Sequence, residues 1–305
     1  MNSCKICCQE FEEDKKLHMH LRSHKITLAE YYTKYYPREN LLTGEPLPFK
    51  NKEQYFDRDF ANRNELLKWC SITNDNKVKT YILELLKKRI QRKKLYFGPS
   101  HLELKTSDMP TVDLYQKHYG SYSKACELAG VEPLFKCKLP EEWNSPVPDD
   151  VKIFIDTREQ QPLQFQKSES LKLDFGDYAV GKDYYDYTYV DRKSETDFKS
   201  TLSKNNLDRF RAELQRAKDF DSYLFVVTET DMSTMEKRNR WSPHTSNMKY
   251  IYHNMRVLAH DFAGSCQFIF TGSREQSQQL IPKILTLGKK LWNVDLQYYI
   301  SNRLI

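Results

Sequence analysis

The spacing of apolar residues divides the chain into a helical first half and a second half in which strands and helices alternate. In the first half, apolar residues recur every three or four positions, as on one face of a helix, in segments 27–36, 59–70 and 77–94. The second half carries short strand-like runs and helical patterns, at 153–159, 222–229, 251–262, 267–270 and 275–292. This order predicts an α/β sandwich around a mixed sheet, preceded by a mostly α-helical arm.

Turn residues predict two short helices at the end of the arm. After a Ser-Asp-Met-Pro-Thr start, the first helix ends near Gly120, and the second begins at Ser121 or Ser123 and ends at Gly130. This pattern predicts a helix-turn-helix-like unit, and residues 119–130 resemble the helical repeat found beside homing endonucleases. The resemblance implies DNA-facing side chains at Thr111, Tyr115, Lys117, His118, Tyr122 and Lys124. A helical spacer is the alternative, because such helix pairs are common.

Positive charge is concentrated before residue 141. Residues 1–140 hold 25 Lys and Arg against 18 Asp and Glu, whereas residues 141–305 hold 23 against 24. A basic segment beside a near-neutral one is typical of a DNA-targeting arm, so DNA is the predicted partner. The predicted helix at 77–94 ends in six cations, more than are needed to balance the helix dipole. They predict phosphate contacts at Lys87, Lys88, Arg89, Arg92, Lys93 and Lys94.

Composition predicts a soluble, intracellular protein of two or three domains. The chain has 305 residues, 39% of them hydrophobic, and no apolar run approaches the twenty residues that cross a membrane. No secretory signal pattern begins the chain, and seven cysteines, an odd number, argue against a disulfide framework. We therefore expect no membrane partner and a location in the cytoplasm of a bacterial or phage-infected cell, or in a eukaryotic nucleus.

A zinc-finger spacing begins the chain. Cys4 and Cys7 are separated by two residues, His20 and His24 by three, and twelve residues lie between the two pairs. The cysteine pair closes a tight knuckle and the histidine pair presents two imidazoles on one helical face, so the four side chains complete a tetrahedron. The spacing resembles two-Cys two-His zinc fingers, which implies a ββα fold over residues 1–26 and one structural Zn²⁺.

The finger resemblance also implies a DNA-reading surface. In the docking mode of that family, the base-facing positions are Glu13, Lys15, Lys16 and Met19, and the two lysines suit phosphate or guanine. One finger covers about three base pairs, so this finger cannot specify a site alone. A finger that binds protein or caps the fold is the alternative, since basic residues often form a solvated helix face.

Two carboxylates and a lysine are the strongest candidates for catalysis. Asp191 and Lys193 lie two positions apart in a run rich in Tyr, Thr and Val, so on a strand their side chains share one face. Asp177 lies fourteen residues before Asp191, and a Gly-Lys-Asp turn between them allows a hairpin to bring it alongside. Carboxylates hold Mg²⁺ or Mn²⁺, and a lysine orients or deprotonates water or stabilises the transition state. A solvated surface strand is the alternative.

The order of motifs around these residues resembles the nuclease domain of XPF-type (ERCC4-domain) structure-specific endonucleases. The family signature is a DxRE strand, then GD, then ERKxxxD, and this chain carries IDTRE, GD and DRKSETD in that order. A basic stretch at 209–218 and an apolar strand at 222–229 follow. The resemblance covers residues 151–305, and it departs at Asp191, where the signature has Glu.

The resemblance implies a restriction-endonuclease-like PD-(D/E)xK fold and assigns roles to residues. Asp177 and Asp191 are the implied metal ligands, with Asp156 assisting directly or through water. The implied catalytic lysine, the two arginines that contact phosphate or brace the acids, and a supporting acid are Lys193, Arg158, Arg192 and Asp197. Two cations of the basic stretch are expected to contact DNA, Arg209 and Arg211.

These features predict five segments, which are a zinc finger (1–26), a helical connector (27–70), a helical DNA-binding unit (71–136), a linker (137–150) and a nuclease domain (151–305). The linker holds three prolines, four acids and no apolar periodicity. XPF-type enzymes usually continue into paired helix-hairpin-helix motifs. Their absence before Ile305 favours targeting by the finger and the helical unit.

The sequence therefore predicts a Mg²⁺- or Mn²⁺-dependent DNA endonuclease that hydrolyses a phosphodiester by in-line attack of water. Its expected substrate is double-stranded DNA, cut at a specific site as by homing enzymes. A structure-specific flap or junction nuclease is one alternative, and a DNA-binding regulator with a catalytically dead nuclease fold is another. An RNA nuclease is a third, because the site reads phosphates and not sugars. XPF-type nuclease domains commonly pair, so a homodimer is also expected.

Overall fold

The computed structural model describes residues 2–47, 58–107, 109–135, 138–181 and 183–305. Their contacts form two compact units, one covering 1–83 with 108–110 and the other covering 84–107 with 111–305. The five segment limits drawn from the sequence stay predictions. The predicted segments include positions that lie outside the described residues, namely 1, 48–57, 108, 136, 137 and 182.

The first unit begins with a ββα element followed by a short helix. Its elements are β1 (Asn2–Ser3), β2 (Glu10–Phe11), α1 (Asp14–His20), a 3₁₀ turn (Leu21–His24) and α2 (Leu28–Tyr35). Strands β1 and β2 pair antiparallel. Helix α2 begins after Thr27, which forms a reciprocal capping box with Glu30, and ends before Pro37 as predicted. Its fully buried Tyr31 packs with Leu17 and Leu21 in one small core.

Two further helices follow, α3 (Arg63–Ile72), which lies in the first unit, and α4 (Asp75–Lys93), which begins in it. The unit boundary falls within α4, between Leu83 and Glu84. Asn62 caps α3 by accepting a hydrogen bond from the Glu65 amide. The predicted apolar face of α4 is buried at Val78, Ile82, Leu86 and Ile90, whereas Leu85 is partly exposed.

The second unit contains the helical part of the arm. Its elements are β3 (Phe97–Gly98), α5 (His101–Thr106), α6 (Val112–Tyr119), α7 (Tyr122–Leu128) and β4 (Glu132–Pro133), with β3 and β4 parallel. The two predicted helices are confirmed, because Gly120 ends α6 with a φ of +80° and Ser121 caps α7. Helix α5 was not predicted, since its first four residues are all buried and carry no amphipathic pattern.

A six-stranded mixed sheet forms the centre of the second unit, as predicted. Its strands are β5 (Ile153–Asp156), β6 (Ser168–Leu171), β7 (Tyr178–Val180), β8 (Thr188–Lys193), β9 (Tyr223–Thr228) and β10 (Cys266–Phe270). Their order is β10-β9-β8-β7-β5-β6. Strand β7 runs antiparallel to β5 and β8, and the remaining neighbours are parallel.

Helices cover both faces of this sheet. They are α8 (Glu195–Thr201), α9 (Leu207–Asp219), α10 (Met232–Trp241), α11 (Met248–Asp261), α12 (Arg274–Leu287) and α13 (Leu296–Ser301), with 3₁₀ turns at Glu141–Asn144 and Gly288–Leu291. One core contains Phe198, Phe210 and Met255, and the other contains Trp143 and Ile281. The two cores make this region the predicted α/β sandwich. None of the described helices is both long and apolar enough to span a membrane.

Candidate active site and metal-binding cluster

The β7–β8 hairpin brings Asp177 beside Asp191. The Asp177 amide donates to the Val190 carbonyl at 2.8 Å, and the Arg192 amide donates to Asp177 Oδ2 at 2.7 Å. Gly176 has a φ of +59°, and a Cβ atom there would lie 2.7 Å from the Val190 oxygen. Glycine is therefore required at 176 by the close approach of two backbones, and Asp177, the next residue, is placed beside strand β8.

Asp191 and Lys193 lie on one face of β8, as their spacing predicted. Asp191 is only 3% exposed, and its Oδ1 accepts a hydrogen bond of 2.7 Å from Lys193 Nζ. Its Oδ2 is also buried and receives no hydrogen bond from the described residues. A buried carboxylate oxygen without a partner is costly, so it favours a bound cation at this position.

Lys193 is held in its charged form. Burial lowers the pKa of its ammonium, but the carboxylates of Asp191 and Asp177 outweigh that effect and raise the pKa above its ordinary value. The ammonium is therefore protonated at neutral pH. This charge state suits stabilisation of a phosphate better than removal of a proton from water.

Asp177 is held in a site that disfavours its charge. Burial, followed by the charge of Asp191, raises the pKa of Asp177 to about 8, and Lys193 and the Arg192 amide offset this only in part. Two carboxylates that repel one another, with one unpaired oxygen, are a donor set that fits a hard divalent cation. Bound there, Mg²⁺ or Mn²⁺ would lower the pKa of a coordinated water and screen the charge of a phosphate.

Asp177→Asn is expected to stabilise the metal-free protein at alkaline pH. The folded-state pKa of about 8 lies above the unfolded value of 3.8, so the contribution of Asp177 to stability is fully present below pH 3.8 and is lost as pH rises through about 8. The Tm of the variant should exceed that of wild type near pH 8–9 and not near pH 4. The gain should be about 2–4 °C for each kcal/mol of unfolding free energy recovered. Thermal melts without added Mg²⁺ or Mn²⁺ measure this. The control is Asp174→Asn, which makes the same substitution at an exposed position.

Asp156 is fully hydrogen-bonded in this structure. Its Oδ1 accepts from the Arg158 amide and Nε at 2.7 and 2.6 Å, and its Oδ2 accepts from Arg158 Nη2 and the Leu173 amide at 3.0 and 2.7 Å. Burial raises the pKa of Asp156, but these hydrogen bonds outweigh it and lower the pKa. Asp156 therefore fastens the loop after β5, and a role toward a metal through water stays a prediction.

Arg192 lies on the opposite face of β8 from the catalytic candidates. Its side chain is 7% exposed and forms ion pairs with Glu159 at 3.0 Å and with Glu229 at 2.9 Å. Glu229 also pairs with Arg274 at 3.0 Å. This geometry favours the bracing role of Arg192 over a phosphate contact, because its guanidinium is already buried in ion pairs with two glutamates.

Arg192→Ala is expected to destabilise the protein by about 3–5 kcal/mol, since removal of the cation leaves the buried Glu159 carboxylate without its ion pair and leaves Glu229 with Arg274 alone. Urea unfolding followed by circular dichroism measures the loss. The matched control is Lys152→Ala, which removes a pair with Glu169 that is about half exposed and should change stability by about 0–1 kcal/mol. Equal effects of the two variants would show that the buried network does not stabilise the sheet.

Glu213 joins this site, and sequence reasoning did not identify it. It lies on α9, accepts a hydrogen bond from the Gly176 amide, and has a pKa raised by burial and by the charge of Asp191, despite the opposing effect of Lys193. The sequence suggested only a basic stretch at 209–218. A helical projection could have found Glu213, because it lies three residues after Phe210 and one before Leu214 on the buried side of α9.

The other predicted residues of the nuclease half lie on the surface. Asp197 is exposed and accepts a 2.6 Å hydrogen bond from Ser194, which caps α8. Arg158 is 64% exposed in its side chain although it pairs with Asp156. Arg209 is exposed, and Arg211 pairs with Asp261 at 2.7 Å.

The arm presents only some of its predicted DNA contacts to solvent. Lys87, Lys88, Arg92, Lys94, Lys117 and Lys124 are exposed, and Thr111 and Lys93 are partly exposed. Arg89 instead donates from Nε and Nη2 to one oxygen of Glu103, at 3.1 and 2.9 Å. His118 and Tyr115 are buried, and the Tyr122 hydroxyl donates to the Pro99 carbonyl at 2.6 Å. Arg89 and these three side chains therefore support the fold in this structure.

The finger brings its four predicted ligands together. Cys4 Sγ lies 3.6 Å from His24 Nε2, and Cys7 Sγ lies 3.2 Å from His20 Nε2. All four ligand atoms lie within 4.8 Å of one another. Tetrahedral Zn²⁺ places its ligand atoms about 3.3–3.8 Å apart, so the donor set fits a closed structural site. The predicted base-facing lysines, Lys15 and Lys16, are exposed on α1.

The region around the active-site candidates matches a known family. Residues 143–284 match the ERCC4 domain, and this stretch contains Asp177, Asp191, Lys193 and Glu213. The match covers just under half of the chain and supports an XPF-type nuclease domain of the restriction-endonuclease-like fold.

Solved structures of XPF from Aeropyrum pernix are similar to this chain. One aligns with 18% identity and a TM-score of 0.35, over 45% of this chain and 66% of that chain. A second, in complex with DNA, aligns with 19% identity and a TM-score of 0.33, over 44% and 62%. The alignments thus span just under two thirds of those chains. No curated protein matches the sequence. None of these comparisons supports the predicted homing-associated repeat.

Proposed function

We propose that this chain is a metal-dependent DNA endonuclease that cuts branched DNA. The observation that carries the proposal is the set of Asp177, Asp191 and Lys193, in which Asp191 is buried and its Oδ2 has no hydrogen-bond partner among the described residues. The set lies inside the stretch that matches the ERCC4 domain. A dead nuclease fold is less consistent with a buried and a half-buried carboxylate kept side by side, because their repulsion costs stability.

The chain's own residues divide the chemistry between them. Asp177 and Asp191 would hold either Mg²⁺ or Mn²⁺. Lys193, charged and fixed by Asp191, would contact the scissile phosphate and stabilise the charge that develops on it. Glu159 and Glu229, through Arg192, keep β8 in register with its neighbours.

Branched DNA is the proposed substrate because the motif order resembles XPF-type structure-specific endonucleases. The family match gives no support to site-specific cleavage of the homing type. The finger, with one structural Zn²⁺ at Cys4, Cys7, His20 and His24, would add DNA affinity through the exposed lysines of α1. Pairing of two copies through the nuclease domain stays a prediction.

A cleavage panel tests the proposal. The substrates are supercoiled plasmid, linear duplex, flap, splayed-arm and four-way DNA of one sequence, and an RNA flap, each with Mg²⁺ or Mn²⁺. We expect branched DNA to be cut at least about tenfold faster than linear duplex, the equivalent of about 1.4 kcal/mol in the barrier. Cleavage of the linear duplex at one sequence, irrespective of branching, would instead identify a site-specific enzyme. Binding without nicking under every metal would identify a regulator.

A further inference from the structure

A surface of exposed cations and aromatic rings lies at the end of α10 and the start of α11. It consists of Lys237, Arg238, Arg240, Trp241, Lys249 and Tyr250, all exposed, and is called here the basic–aromatic surface. Residues 237–250 include four Lys and Arg and no Asp or Glu, although residues 141–305 carry slightly more acids than cations. The net charge of residues 141–305 as a whole therefore does not reveal the local positive charge of residues 237–250.

Trp241 differs from the other three tryptophans of the chain. Its side chain is 88% exposed, whereas Trp69 and Trp143 are 5% and 7% exposed. Trp292 stacks on Tyr223, with ring centroids 5.1 Å apart and planes at 18°. Trp241 thus presents a large aromatic face to solvent between cations, which is the composition of a surface that stacks nucleobases and holds their phosphates.

The loop that follows Trp241 is fixed, so the backbone that carries the ring is held at a defined place. Asn239, which is buried, donates from Nδ2 to the Ser246 carbonyl and accepts from the Ser246 amide at Oδ1, both at 2.9 Å. Asn247 then caps α11 through the Tyr250 amide at 3.2 Å. These bonds close the loop between the two helices, and preorganisation of this kind lowers the entropy lost on binding.

The basic–aromatic surface is joined to the catalytic edge of the sheet. Arg238 Nη1 lies 3.2 Å from Glu195 Oε2, and Glu195 also pairs with Lys199 at 2.7 Å. Glu195 is the first residue of α8 and follows Lys193 by two positions. Arg238 therefore anchors α10 to the segment that directly continues the catalytic strand.

We propose that the basic–aromatic surface binds the unpaired nucleotide of a branched DNA substrate. Trp241 stacks on the exposed base, and Lys237, Arg240 and Lys249 contact the adjoining phosphates. A fully paired duplex offers no free base face, so the surface discriminates in favour of a branch. The inference rests on the proposed function, since it names the feature of DNA that the nuclease unit recognises.

The test measures binding and fluorescence together, with Ca²⁺ in place of Mg²⁺. The probes are a splayed-arm DNA and a fully paired duplex of the same sequence, and the proteins are full-length wild type, Trp241→Ala and Trp241→Phe. We expect Trp241→Ala to lose about tenfold in affinity for the splayed arm, with less than about twofold loss for the duplex, and Trp241→Phe to retain most affinity. Splayed-arm DNA should quench tryptophan fluorescence in wild type but not in Trp241→Phe.

The matched control is Phe220→Ala, which removes a different ring that is 69% exposed and should leave both affinities unchanged. Equal loss for splayed arm and duplex, or no loss with no quenching, overturns the inference. If wild type still cuts branched DNA in that case, only the inference fails. If wild type binds and cuts no DNA, the proposed function fails with it.

Discussion

Lys193→Ala is expected to lower the single-turnover rate of branched-DNA cleavage by about 10²–10³-fold, while the protein stays folded. The loss of one preorganised donor to a developing charge typically has this size in a site sheltered from water. Lys193 is the proposed donor, because its side chain is 16% exposed, its ammonium is charged, and a 2.7 Å hydrogen bond to Asp191 fixes its position. The same substitution removes the cation that faces both carboxylates.

Rapid-quench kinetics with enzyme in excess over a labelled flap measures the chemical step. Lys199→Ala is the matched control, because Lys199 lies six residues along and pairs at 2.7 Å with Glu195 outside the carboxylate set. The control should cut within about twofold of wild type if the effect is specific to the charge at the site. Cleavage by Lys193→Ala at the wild-type rate would remove Lys193 from the catalytic set.

Cys7→Ser is expected to abolish zinc binding and unfold the finger, whereas the adjacent Cys8→Ser is expected to do neither. Cys7 Sγ lies 3.2 Å from His20 Nε2 within the four-ligand cluster, and Cys8 is exposed and outside that cluster. Structural Zn²⁺ in fingers contributes about 10–16 kcal/mol of apparent binding free energy, so its loss removes the folding of so small a core. That core consists of Cys4, Leu17, Leu21 and Tyr31 with the side chains packed around them.

Zinc content and hydrogen exchange measure the two results. Wild type and Cys8→Ser should each hold one Zn²⁺ per chain, and Cys7→Ser should hold close to none. The rate of amide hydrogen exchange should rise in residues 2–35 of Cys7→Ser and stay low in the strands of the central sheet. Branched DNA should still be cut at saturating protein, because the proposed catalytic residues lie in the other unit. Equal zinc contents in the two serine variants would contradict the assigned ligand set.

Local signals predicted much of the fold. The β7–β8 hairpin, the capping of α2 by Thr27 and the glycine that ends α6 each follow from spacing or turn chemistry within a few residues. The buried face of α11, with Ile251, Met255 and Leu258, follows from helical periodicity. These predictions succeeded because short-range geometry alone decides them.

Long-range contacts were not predictable from the same signals. The charge of Asp191 acts on Glu213 only because α9 packs on the sheet, and Arg89 is hydrogen-bonded to Glu103 only because α5 packs against α4. Both residues belong to basic runs that a charge count assigns to DNA. A charged residue is assigned to DNA or to the fold by its partner in space, and one sequence does not show that partner.

The candidate site was predictable in part for the same reason. The spacing of Asp191 and Lys193 and the Gly-Asp pair before β7 placed three side chains together, as the structure has them. The full hydrogen bonding of Asp156 was not foreseen, because it depends on the Leu173 amide seventeen residues away. The unpaired Oδ2 of Asp191 is likewise visible only in three dimensions.

Anomalous diffraction from crystals grown with Mn²⁺ and a branched DNA tests the central claim most directly. The predicted result is an Mn²⁺ peak bound by oxygens of Asp177 and Asp191, at about 2.0–2.3 Å, with Lys193 facing the scissile phosphate. Its absence at a Mn²⁺ concentration that supports cleavage, or a peak bound only by other residues, would contradict the assignment of this site.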